Sequence, residues 1–120
     1  MNDKDDSAVM MLYTPNLDGV AAGGGFPGYA SGGTVWVPLD PGFRAGDQIE
    51  LIAKVGTYQK SLSTYTIATL EAKAVWVTGA TFIELKQHGS RCEIFYKLFR
   101  SGALLDTSTS FVCYLGSGPL

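Results

Sequence analysis

A chain of 120 residues, 46% hydrophobic and 17% charged, is long enough to bury one core without staples, and its composition argues against disorder beyond the ends. A formal net charge of -2 with no Lys/Arg-rich stripe argues against nucleic acid as the main partner, and no run reaches the roughly 20 apolar residues of a membrane span. Fifteen glycines and five prolines, mostly clustered, set a pattern of many turns and short strands.

The start, MNDKDDSAVMMLY, is acidic and lacks the positive n-region of a signal peptide. Such a protein stays in the cell, leaves without a cleaved signal, or is cut from something larger. Residues 1–7 read as a charged tail, in which Asp3, Asp5 and Asp6 are a solvated run rather than a calcium site. Residues 8–13 form an expected first strand ending at Thr14-Pro15. Residues 16–33 contain seven glycines and Pro27 and read as a long loop without a period, anchored by Phe26 and Tyr29. Residues 1–33 are thus a tail, a strand and a Gly-rich loop packed on a body of residues 34–120, in a single domain.

Residues 34–38, TVWVP, put Val35 and Val37 on one face of a strand and Trp36 on the other. LDPGFRAGD follows as a turn region, with Asp40 and Asp47 as turn formers beside its glycines. Residues 48–55 are the clearest central strand: Ile49, Leu51, Ala53 and Val55 alternate with Gln48, Glu50, Ile52 and Lys54. Residues 63–70 are β-prone, and residues 73–77 repeat the earlier pattern, with Val75 and Val77 opposed to Trp76. From 78 to 88 the period changes: Phe82 and Leu85 stand at helical spacing and Gly89 is a natural stop.

Residues 91–115 carry the best hairpin signal, two long alternating runs around RSG. Cys92, Ile94, Tyr96 and Leu98 form one face, and Phe111, Cys113 and Leu115 the matching face of the return strand. A Gly102-Ala103 loop sets Cys92 opposite Cys113; a Ser101-Gly102 loop sets it opposite Phe111, with Cys113 diagonal. Two readings of the sulfurs stand: buried free thiols, or a Cys92–Cys113 cross-strand disulfide that would imply an oxidising compartment. Seven short strands, with a helical turn before the penultimate one, give an all-β Greek-key sandwich, with a barrel as the alternative architecture.

TVWVPLDPGFRAGDQIEL, KAVWV and RCEIFYKLFRSGALLDTSTSFVCYLG together resemble the immunoglobulin-like repeat domains of large bacterial surface and adhesin-type proteins. The resemblance covers about residues 34–116, with Gly42, Gly46, Asp47, Tyr96 and Gly102 as its best marks. It implies a seven-stranded immunoglobulin-like sandwich, a spacer or ligand-presenting role without enzyme activity, and an extracellular, surface or particle-associated setting. The chain departs from the pattern at Ala53, where many repeats carry Trp, and at Val77-Thr78, where they carry Val-Pro. It also departs by setting apolar groups at outward positions that are usually polar.

On that arrangement Trp36 and Trp76 are cross-strand neighbours outside one sheet, and Ile52, Phe95, Val112 and Tyr114 share the outer face of the other. Several hundred Å² of such surface is the scale of an interaction site. Three readings compete: a protein interface, with another copy of the chain as one candidate partner; a cover formed by the Gly-rich segment through Phe26 and Tyr29; and a lectin-like face whose aromatics stack on carbohydrate. The first is preferred. His88, the one histidine, lies at the expected helix end in a structural role, and no carboxylate pair, Cys-His pair or phosphate loop is visible. No cofactor, metal or catalytic residue is expected, and a non-enzymatic binding module follows.

Overall fold

The computed structural model describes residues 12–117; the acidic tail and most of the expected first strand lie outside the described residues. In chain order the elements are β1 (Asn16–Leu17), β2 (Gly25–Phe26), a 3-10 turn (Tyr29–Ser31), β3 (Gly33–Val37), β4 (Gln48–Val55) and β5 (Tyr58–Thr66). They continue with β6 (Lys73–Val77), α1 (Gly79–Lys86), β7 (Arg91–Arg100), β8 (Ala103–Thr107) and β9 (Phe111–Leu115).

Alternation decides the layers. The two V-W-V strands pair antiparallel, Val35 opposite Val75, in a three-stranded sheet ordered β1-β3-β6. The larger sheet is ordered β2-β9-β7-β4-β5, with β8 also beside β7. The valines of the first meet the alternate residues of the second: Ile49, Leu51, Cys92, Ile94, Tyr96 and Leu98 are all buried in this core. Burying a side chain of this size is worth about 2 kcal/mol, so the inward rows supply the main drive for folding. Phe82 and Leu85, three residues apart on α1, close one end of the core with no exposed surface. The helix starts at Thr78, whose side chain accepts the Thr81 N–H.

The all-β, two-sheet expectation therefore stands, and the strand count needs correcting. The Gly-rich segment is not all loop: it contributes β1 and β2, and β2 runs parallel to β9, which makes the larger sheet mixed. The strand expected at 63–70 lies instead at Tyr58–Thr66. Its position is set by a two-residue hairpin at Gly56-Thr57, with Val55 opposite Tyr58 and Gly56 at φ +61°, as a type II′ turn requires.

The return arm of the last hairpin is broken in two. Ser108 is buried and satisfies Tyr96 twice: its N–H donates to the Tyr96 carbonyl at 2.8 Å, and its Oγ accepts the Tyr96 N–H at 3.0 Å. A side chain thus replaces a backbone partner, and the strand bulges there. The turn is Ser101-Gly102, both at positive φ (55° and 82°), with Arg100 opposite Ala103. On an even ladder Cys92 would then face Phe111. Ten steps from Ala103 to Cys113 match eight from Arg100 to Cys92, so the bulges absorb two residues and bring Cys92 opposite Cys113.

Candidate functional site

The V-W-V repeats set both indoles outside the smaller sheet. Their flanking valines are buried, whereas Trp36 keeps 37% of its surface exposed and Trp76 61%. In the ladder Trp36 faces Ala74 and Trp76 faces Thr34, so the rings are diagonal on one face, not directly opposite. Asn16 extends the first row beyond Trp36. The face consists of two short rows, Asn16–Trp36–Ala74 and Thr34–Trp76, and the exposed Asp18, whose N–H donates to the Thr34 carbonyl at 2.9 Å, continues the second row just past β1.

Glycine seats the more exposed indole. Gly32 has φ +89°, and a Cβ there would lie 2.6 Å from Trp76 Cζ2 and 2.7 Å from the Val77 carbonyl oxygen. Nearby, a Cβ at Gly79 would run into the Ala30 carbonyl, so the 3-10 turn and the start of α1 meet backbone to backbone. The Gly-rich segment therefore braces Trp76 from the side. Its own aromatics go inward: Phe26 is buried and meets Phe82 edge-on at 5.2 Å, and Tyr29 packs against the core. The expected cover by Phe26 and Tyr29 is corrected accordingly, because β2 ends where the core is open beside α1.

The larger sheet's outer face differs from expectation. Ile52 and Phe95 point to the outer face but are buried, with 4% and 9% of their surface exposed. They sit opposite each other on β4 and β7, in the middle of the sheet. The next rungs on this face place Lys54 opposite Glu93 and Glu50 opposite Lys97, whose long stems flank the apolar pair. Val112 and Tyr114 are half-buried. The chain near β2 runs along β9 and bonds to both, Gly23 N–H donating to the Val112 carbonyl at 2.6 Å and Tyr114 N–H to the Gly24 carbonyl at 2.9 Å. Of the six residues expected to form contact surfaces, Trp36 and Trp76 are the two that are exposed.

Cys92 and Cys113 are free and buried. The Cys113 sulfur beside it, together with burial, pushes the Cys92 thiol far above its ordinary value. Both side chains are wholly buried among the inward rows, so this pair fills the core.

Two polar clusters escaped the sequence reading because their members are far apart in the chain. Asp47, only 2% exposed, accepts Arg100 Nε and Nη2, each at 2.8 Å, and the Arg44 N–H at 2.9 Å. Burial opposes its charge, but the Arg100 fork and the Arg44 N–H outweigh that cost and hold its carboxyl below the usual value. At the other end, Tyr58 donates to Glu84, Lys60 lies 3.2 Å from the same carboxylate, and the Tyr58 ring stacks on His88 at 3.8 Å. This clasp ties β5 to α1 and gives His88 its structural place. Asp40 is also a structural group: it accepts the Gly42 N–H and the Tyr13 N–H, each at 2.8 Å, while the Tyr96 hydroxyl donates to the Tyr13 carbonyl at 2.6 Å.

An open groove of about 450 Å³ lies along Gln48, Glu50, Thr64, Tyr65 and Phe99. Burial pushes the Tyr65 hydroxyl up to about 12, and Lys73 Nζ stands 5.3 Å from the centre of its ring. Among the described residues no group of three or more His, Cys, Asp or Glu side chains could hold a metal ion. No protein-family model matches the chain, and neither a curated protein nor a solved structure matches it.

Proposed function

We propose that this chain is an immunoglobulin-like β-sandwich module that works without catalysis, by protein–protein contact through the outer face of the three-stranded sheet. The partner is another copy of the chain, within a surface or particle assembly. The observation that carries this reading is the pair of indoles, Trp36 and Trp76, exposed diagonally on a face whose nearest neighbours, Ala74 and Thr34, are short and uncharged. Their exposed portions leave roughly 200 Å² of aromatic surface. At about 25 cal/mol per Å², leaving it in water forgoes about 5 kcal/mol, a cost to which folding contributes no return.

Three features of the connectivity support the immunoglobulin-like assignment. The second and fifth strands of the expected order pair in one sheet, and the third, sixth and seventh pair in the other. A helix joins the strands that cross between sheets before β7. A parallel strand, β2, adds to the last one.

The test is solution mass by light scattering over a concentration series. The native chain is expected to gain mass with concentration, and a Trp36→Ala, Trp76→Ala double variant is expected to remain folded and lose that gain. A native chain that is monomeric throughout would remove the self-association reading. A double variant that unfolds would show that the rings serve the core.

A further inference from the structure

We infer that self-association of this chain proceeds by antiparallel pairing of β6 with the partner's β6 about a twofold axis at Val75, joining two three-stranded sheets into one of six. This deepens the proposed function and rests on its premise that the partner is a second copy. Among the described residues β6 pairs with β3 alone, and no described strand pairs with its other edge.

Backbone parity identifies the groups on that edge. Asp18 N–H donates to the Thr34 carbonyl at 2.9 Å, so Thr34 and Trp36 turn their backbone groups toward β1. Gly33, Val35 and Val37 then turn theirs toward β6, where they meet Val77, Val75 and Lys73. The backbone N–H and C=O of Ala74 and Trp76 are left facing outward. An antiparallel copy with Val75 at the axis sets Ala74 opposite the partner's Trp76, and Trp76 opposite the partner's Ala74. Each such pair exchanges both of its hydrogen bonds.

The side chains fit the same axis. Each joined row reads Trp36, Ala74, the partner's Trp76: a small residue separates two indoles, and no two bulky groups are directly opposed. Two of the seven exposed large apolar residues of the described chain, Trp36 and Trp76, thus lie on the joined face. The indoles of two copies supply roughly 400 Å², well short of the ~1,200 Å² of a stable interface, so the backbone pairing is needed as well and the dimer is a weak one.

The other long edge is unsuited to the task. β5 is polar, carries Lys60, and is kinked by a register shift opposite Leu51 and Ile52. β6 has no such break and is paired along its whole length with β3.

Amide hydrogen exchange on the native chain, read beside light scattering, tests this. As concentration brings the mass toward that of a dimer, exchange at Ala74 and Trp76 is expected to slow about tenfold, while the Thr34 and Trp36 amides, on the far side of the sheet, stay unchanged. Ala74→Pro removes an outward N–H that the β3 ladder does not use, and is expected to weaken dimerisation about tenfold with both indoles intact. Ala74→Glu, which puts a charge between the indoles and leaves the backbone free, is expected to act in the same direction and serves if the proline variant misfolds. A mass increase abolished by the double tryptophan variant, but with Ala74 and Trp76 exchanging as in the monomer, would overturn edge pairing and leave the tryptophan-face reading standing. A chain monomeric at every concentration would overturn both.

Discussion

The two outer faces of this sandwich carry bulky apolar residues at equivalent positions and treat them in opposite ways. On the larger sheet Ile52 and Phe95 lie on central strands, opposite each other, between rungs of charged side chains, and are buried. On the smaller sheet Trp36 and Trp76 lie diagonal to each other on strands with few neighbours, next to Ala74 and Thr34, and stay exposed. Pointing away from the core is therefore not the same as facing water. What decides exposure is the number of flanking strands and the length of the side chains upon them.

The largest effect that tests this contrast belongs to Phe95. Phe95→Ala is expected to cost about 3 kcal/mol in urea unfolding, as for a core aromatic; a loss below about 1 kcal/mol would mean the two faces are alike after all. Next comes Asp47→Asn, which leaves Arg100 without its charged partner and is expected to cost about 2 kcal/mol. The Asp47 carboxyl is held low in the folded chain, so its contribution is present above the unfolded value near 4 and is lost as pH falls below that. Native stability should thus decline in acid while association, which does not use the Asp47–Arg100 pair, changes little at pH values where the fold persists. Association that tracks the acid loss before unfolding begins would break the separation. A smaller effect, about 0.5 kcal/mol, is expected for Glu93→Lys, which sets like charges across from Lys54 and removes the ion pair with Arg91. Smallest is Trp76→Ala, expected to change monomer stability by less than about 0.5 kcal/mol in dilute solution.

Much of the fold was legible because side-chain alternation is unambiguous where one face is buried. The run from Ile49 to Val55 and that from Cys92 to Leu98 could take one parity only. β5 was misplaced because YQKSL is a polar edge with little alternation, and its real signal, the Gly56-Thr57 dipeptide between Val55 and Tyr58, is short. The bulges that realign Cys92 with Cys113 were invisible, since they depend on Ser108 substituting for backbone against Tyr96. The exposed positions of Trp36 and Trp76 followed from parity. The burial of Ile52 and Phe95 did not, because it depends on strands remote in sequence. Asp47 and Arg100 pair across 53 positions, a separation that no local pattern reports.

The residues from 16 to 26 place one two-residue strand on each sheet, at the side away from β5 and β6. Such stubs give a third molecule almost no ladder to extend. Joined at β6, two copies therefore spend the smaller sheet's one usable margin, and the product is a closed pair with no growing end, rather than the first step of a fibre.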